Sequence, residues 1–164
     1  MTDEPLQDPD WLRIEQHFPD EADLTLQVLK GHLIIEEQLR LLLDRLLFYP
    51  DALRGKQGTS FDCHQIICLV QATTKYTHEE PWIWPAAKRL NNIRNSLAHN
   101  LAPASIDQKI QSLITFVTQE NPTIRRVLER NPTPAGYEFK AVILAMSGAL
   151  NALRQLIEAD ASKA

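Results

Sequence analysis

The chain has 164 residues, of which 44% are hydrophobic and 23% charged, a globular composition that suits one domain. Its 17 basic and 21 acidic residues give a formal net charge of −4, which argues against a surface that coats nucleic acid broadly and leaves room for a small basic site. Cys63 and Cys68 form no Cys-x-x-Cys pair, so they indicate neither a disulfide framework nor a zinc site. Two free thiols suit a reducing cytosol, and we expect a cytoplasmic protein.

Helix is the dominant signal along the chain. Leucine is several times more frequent than valine, and no run of alternating apolar and polar residues predicts a strand. The acidic start, MTDEPLQDPDW, lacks the apolar stretch of a secretion signal. A short helix over 11–18 is predicted to end at Pro19, which divides an N-terminal segment, 1–19, from a bundle over 20–164.

The second predicted helix runs from about residue 21 to 48, with Asp20 as its cap. It is apolar on more than one face, which indicates a central core helix or a helix that meets a second subunit. Its most apolar part, 33–48, is interrupted by charged residues, so we expect no membrane span.

Five further helices are predicted downstream, separated by short connections. Ser105 and Gln108 form a capping-box pattern at the start of one of them. The predicted starts, in chain order, are Ser60, Pro81, Ser105, Asn121-Pro122 and Thr133-Pro134. The sum is an all-α, single-domain bundle of about five to seven helices.

The helix that starts near Pro81 ends in the segment NNIRNSLAHN, which is rich in Asn, Arg and His. Asn92, Asn95 and His99 stand at i, i+3 and i+7 and share a stripe that Arg94 borders. The sequence from 89 to 101 contains no carboxylate. A helix face with a cation, an imidazole and amides but no carboxylate predicts contact with an anion.

Arg94-Asn95-x-x-x-His99 resembles the Arg-(Asn/Asp/His)-x-x-x-His signature of the HEPN superfamily. These are all-α domains of RNA-cutting toxins, antiviral nucleases and non-catalytic relatives. The similarity extends over about 24–117 and implies a HEPN-like bundle with Arg94, Asn95 and His99 as catalytic residues. The mannitol-repressor-like proteins, a loosely similar all-α group, are a second resemblance.

The preceding long helix carries Gly31-His32-x-x-x-Glu36, which is similar to the corresponding helix of HEPN domains. The resemblance implies a supporting contact from Glu36 to the site of Arg94 and His99, and the shared stripe gives Asn92 a supporting role. On spacing alone, Glu36 and Glu37 are predicted to form helix-face ion pairs with Arg40.

The function that the resemblance implies is a metal-independent endoribonuclease, such as the toxin of a toxin–antitoxin or phage-defence system. A ribose 2′-hydroxyl attacks the adjacent phosphate and the 5′-oxygen leaves. His99 can act as base or acid near neutral pH, and Arg94 can bind phosphate oxygens. Asn95 can orient the phosphate or His99. Because one histidine does not easily serve as acid and base in one step, we expect a homodimer with the site at its two-fold interface. We further expect RNA as the substrate, a separate antitoxin or regulatory protein as a partner, and no cofactor or metal.

The alternative function is a non-catalytic HEPN-like interaction module, or a mannitol-repressor-like regulator that acts through protein–protein contacts. Arg94 and His99 would then serve the free carbonyl groups at the C-terminus of their helix.

Other site classes find less support in the sequence. His64 with Cys63 or Cys68 lacks the orienting partner of a thiol enzyme. His32 and Glu36 lack the further ligands of a metal site, and His32 is predicted to be a partly buried structural histidine. Trp82 and Trp84 are predicted to anchor a helix start by packing, with base stacking as the minority interpretation.

Overall fold

The computed structural model describes Gln16, Phe18 and residues 23–53, 61–99, 105–130 and 136–162, and all regular secondary structure among them is helical. The α-helices are α1 (Leu24–Leu46), α2 (Cys63–Thr73), α3 (Ile83–His99), α4 (Ile106–Glu120), α5 (Pro122–Arg130) and α6 (Tyr137–Ala161), and a 3-10 turn (Pro50–Leu53) follows α1. The prediction of an all-α bundle with five to seven helices is confirmed. The predicted helix over 11–18 lies outside the described residues except at Gln16 and Phe18.

Two aspartates, Asp23 and Asp62, cap the starts of α1 and α2, at positions that differ from the predicted caps. Asp23 caps α1, because its Oδ1 accepts a hydrogen bond from the amide three residues later at 3.1 Å. The helix therefore begins one turn later than the predicted cap, Asp20, would place it. Asp62 and Gln65 form a reciprocal capping box at the start of α2, in place of the predicted Ser60. Asp20 and Ser60 themselves lie outside the described residues.

The predicted capping box at α4 is wrong. Ser105 precedes the helix, but its side chain makes no capping hydrogen bond. Its backbone, with φ −119° and ψ 14°, is not in the extended conformation that directs a cap side chain toward the first turn. Pro81 likewise lies two residues ahead of α3, and Pro85 occupies the first turn instead, where proline costs no helical hydrogen bond.

The start of α6 differs from its prediction as well. Gly136 precedes the helix in the left-handed region, with φ 89°, a conformation that side-chain-bearing residues rarely adopt. The predicted opening at Thr133-Pro134 lies outside the described residues. At α5 the prediction is confirmed: Asn121 Oδ1 accepts from the amides two and three residues later, at 3.1 and 3.2 Å.

Helix α1 is central, as one of the two interpretations of its apolar faces predicted. It packs against α2, α3 and α6, while α4 packs against α3 and α6. The core that these helices enclose includes the fully buried side chains of Leu39, Leu42, Ile67, Trp84, Ile93 and Phe139. Burial of such large apolar groups is the main free-energy gain in folding. One stripe of α1 nevertheless stays open, since Leu29 and Leu33 are 42% and 63% exposed.

Two helical glycines provide a test of this packing, because the same substitution is expected to have opposite effects at them. A Cβ on Gly31 would lie 2.9 Å from Ile143 Cδ1 and Cγ1, whereas a Cβ on Gly148 would meet nothing within 4 Å. Overpacking costs about 1–3 kcal/mol, and alanine gains about 0.5–1 kcal/mol over glycine inside a helix. We therefore expect Gly31→Ala to lower the free energy of unfolding by about 1–2 kcal/mol. We expect Gly148→Ala to raise it by about 0.5–1 kcal/mol. Urea denaturation of both variants measures the two signs, and an increase at Gly31 would contradict the close α1–α6 contact.

Candidate functional site

The C-terminal half of α3 separates two clefts. The α3–α4 cleft has a volume of about 800 Å³ and is lined by polar residues of both helices and of the segment that precedes α4. The α1–α3 cleft, of about 300 Å³, is lined by residues of α1, the start of α2 and the other side of α3. Asn95 lines both clefts, and each of the other predicted site residues lines only one of them.

The α3–α4 cleft collects three of the five predicted site residues. Asn92, Asn95 and His99 line it together, as their i, i+3, i+7 spacing predicted. His99 is exposed at the last position of α3. The imidazole and two amides therefore face one solvent-accessible cleft, where each can donate or accept hydrogen bonds.

Two cations that were not predicted from the sequence, Arg89 and Lys109, face the same cleft. Arg89 Nη1 donates to Ser112 Oγ at 3.2 Å, and its guanidinium lies 4.7 Å from the Phe116 ring centroid. Lys109 Nζ donates to Ser96 Oγ at 2.7 Å. These contacts hold both positive charges beside the cleft, and the described residues that line it include no carboxylate. The arrangement favours a polyanion.

Arg94 and Glu36 line the α1–α3 cleft rather than the α3–α4 cleft. Arg94 is exposed, and its Nη1 donates to Asn95 Oδ1 at 3.2 Å. Glu36 Oε1 accepts from Arg40 Nη2 at 2.5 Å, so the ion pair predicted from spacing is present. Within one chain, Arg94 and His99 thus line different clefts, and Asn95 lies between the two clefts and lines both.

His32, which was predicted to be partly buried, is buried, with only 5% of its surface exposed. Its Nε2 lies 3.1 Å from Oδ1 of Asn91, which is also buried. Burial lowers the pKa of His32 below its usual value, and the hydrogen bond to Asn91 and the nearby Glu36 oppose this effect. Asn91 was not singled out from the sequence, although its i, i+3 relation to Arg94 already placed it toward the same cleft.

Cys63 is a half-buried thiol whose surroundings disfavour the nucleophilic thiolate. Burial, with a contribution from Glu36, raises the pKa of Cys63 to about 12. Cys68 is exposed, with its Sγ 3.7 Å from His64 Nε2. A raised pKa keeps the Cys63 thiol protonated at neutral pH, which argues against thiol catalysis at this position.

One sequence expectation about these residues is wrong. His32 and Glu36 do have a third potential metal ligand, because Cys63 brings its sulfur to them and one donor atom from each lies within 4.8 Å of the others. No local pattern of residues indicates this cluster, because Cys63 reaches it only through the packing of α2 on α1.

None of the described helices is both long and apolar enough to cross a bilayer. Comparisons of the chain with family models, with curated proteins and with solved structures find no match.

Proposed function

We propose that this protein is a metal-independent endoribonuclease of the HEPN type. The observation that carries the proposal is the α3–α4 cleft, where His99 lies with Asn92 and Asn95 among the cations Arg89 and Lys109, with no carboxylate in the described lining. Such a cleft offers an imidazole for proton transfer and positive charge for phosphate. The Arg94-Asn95-x-x-x-His99 motif adds the resemblance to RNA-cutting HEPN domains.

The chemistry is an internal transesterification of RNA. The 2′-oxygen forms a bond to phosphorus, the bond from phosphorus to the 5′-oxygen breaks, and the products carry a 2′,3′-cyclic phosphate and a 5′-hydroxyl. His99 takes the proton from the 2′-hydroxyl or supplies one to the departing 5′-oxygen. Arg89 and Lys109 neutralise charge that develops on the phosphate, and Asn92 and Asn95 orient it.

A two-fold dimer would supply the second proton-transfer group and bring Arg94 of one copy toward the cleft of the other. Leu29 and Leu33 support such a dimer, because they are exposed on α1 at i and i+4 and the same stripe continues through Glu36 and Arg40 into the α1–α3 cleft. A second copy seated on this leucine stripe would also cover the cleft that holds Arg94.

The leucine stripe is tested by Leu33→Glu. A carboxylate at an apolar contact that the dimer buries is expected to raise the dimer dissociation constant at least about 100-fold. Cleavage is expected to be lost together with the dimer. Light scattering after size exclusion gives the mass, and the same fractions are assayed on RNA. Phe48→Glu is the matched control, because Phe48 is 96% exposed and lies beyond the end of α1. A monomeric wild-type protein that cuts RNA would contradict the dimeric site.

The proposed function is tested by incubating the purified chain with RNA in excess EDTA and analysing the product ends. Cleavage that leaves 2′,3′-cyclic phosphate, with a DNA strand of the same sequence left intact, is the expected result. A folded dimer that cuts none of several RNAs would favour the non-catalytic interaction module. As a nuclease of this type, the protein would act in the cytoplasm, with a separate antitoxin or regulatory protein that restrains it.

A further inference from the structure

His32, Glu36 and Cys63 form a cluster of three different metal-binding groups in the α1–α3 cleft. His32 and Glu36 are one turn apart on α1, and Cys63 is the first residue of α2. His32 Nδ1 lies 3.6 Å from Glu36 Oε2. In a tetrahedral zinc site, bond lengths of about 2.0–2.3 Å place neighbouring donor atoms about 3.3–3.8 Å apart. The His32–Glu36 spacing is therefore that of two donors around one ion, and Cys63 places its sulfur within 4.8 Å of a donor atom on each of them.

The two ligands on α1 also have the outer partners that metal ligands require. His32 Nε2 pairs with Asn91 Oδ1 and Nδ1 lies toward Glu36, so the tautomer that carries its hydrogen on Nε2 has an Nδ1 lone pair available to an ion. On Glu36, Oε1 accepts from Arg40 Nε at 3.0 Å and Nη2 at 2.5 Å, which leaves Oε2 toward the cluster. Partners of this kind fix the orientation of metal ligands.

The third ligand is held in place by the same arginine. Arg40 Nη2 donates to the Phe61 carbonyl at 3.1 Å, just ahead of α2, and the capping box of Asp62 then starts the helix at Cys63. Arg40 therefore connects the Glu36 carboxylate to the segment that carries the thiol. The three donors come from two helices: Arg40 links the Glu36 carboxylate to the segment of Cys63, and Asn91 positions His32 separately.

We propose that His32 Nδ1, Glu36 Oε2 and Cys63 Sγ bind one Zn²⁺ ion, with a fourth position open to water. Imidazole and thiolate ligands select zinc and similar transition metals over Mg²⁺ and Ca²⁺. Binding replaces the thiol proton of Cys63 with the ion and releases that proton to solvent. The ion joins α1 to the start of α2, whereas the proposed cleavage chemistry uses no metal.

The test uses Co²⁺ as a spectroscopic substitute for zinc on the full chain after treatment with a chelator. One Co²⁺ per chain is expected to give a thiolate-to-cobalt charge-transfer band that Zn²⁺ abolishes by displacement. Cys63→Ser is expected to remove the band. Asn91→Ala, which removes only the outer partner of His32, is expected to weaken the affinity about 10–100-fold.

Cys68→Ser is the matched control, because Cys68 and His64 form the other thiol–imidazole pair, an exposed one. It is expected to keep the band. If Cys63→Ser loses helical content by circular dichroism, Glu36→Gln takes its place, with the expectation of weaker Co²⁺ binding on a folded chain. Absence of the band in the folded wild type, or its loss in Cys68→Ser but not in Cys63→Ser, would overturn the proposal. RNA cleavage in EDTA does not depend on either outcome, so failure of the metal site and failure of the nuclease are distinguished.

Discussion

Replacing His99 with alanine is expected to lower RNA cleavage in EDTA by about 10²–10⁴-fold, the range that a general acid or base contributes. His99 is exposed at the end of α3 and contributes nothing to the buried core, so the variant should fold as the wild type does. The measurement is the single-turnover cleavage rate on RNA, together with the fraction of products that end in 2′,3′-cyclic phosphate.

The matched control is His78→Ala. His78 is exposed in the turn between α2 and α3 and lines neither described cleft, so its loss should leave the rate unchanged. Equal cleavage by wild type and His99→Ala would identify a contaminating nuclease and remove His99 from the mechanism.

The same assay distinguishes the roles of the two arginines that could bind the phosphate, Arg89 and Arg94. Arg89 faces the cleft of its own His99, whereas Arg94 faces the other cleft. If Arg94 acts across a dimer, mixing His99→Ala protein with Arg94→Ala protein should restore a small part of the activity, because a mixed dimer rebuilds one Arg94–His99 pair but holds a single His99. Absence of any recovery, with mixed dimers shown to form, would mean that cleavage needs both histidines or that Arg94 and His99 act in one chain.

Replacing Trp84 with alanine is expected to lower the free energy of unfolding by about 3–5 kcal/mol, the cost of deleting a large buried aromatic side chain. Trp84 is 2% exposed in the first turn of α3, and its indole Nε1 donates to the Thr77 carbonyl at 3.0 Å. It therefore ties the connection between α2 and α3 to the core. Urea denaturation followed by circular dichroism gives the change in stability.

Two controls separate the contributions to the Trp84 effect. Trp84→Phe keeps most of the apolar contact but leaves the Thr77 carbonyl without this donor, and a smaller loss of about 1–3 kcal/mol is expected. Phe48→Ala truncates an aromatic side chain that is 96% exposed, and a change within about 0.5 kcal/mol is expected. Comparable losses for Trp84→Ala and Phe48→Ala would mean that Trp84 does not anchor the core.

The local pattern of the sequence predicted the helices, because an amphipathic repeat is a property of neighbouring residues. Ala86, Leu90 and Ile93 recur at four-and-three spacing in the sequence, and all three lie on the buried face of α3. Spacing also predicted that Asn92, Asn95 and His99 share a surface. Helix starts were predicted less well, because competing cap residues such as Asp20 and Asp23 lie within one turn and the choice depends on backbone geometry.

What only the tertiary structure decided is which helices face each other. The packing of α4 on α3 brings Lys109 to the cleft of His99, and the packing of α2 on α1 brings Cys63 to His32 and Glu36. Periodicity specifies which side of a helix is buried, but contacts between residues far apart in the chain depend on how several apolar faces pack together. The sequence by itself therefore determined the fold class and the His99 stripe, and packing decided the two clefts and the cations and thiol that complete them.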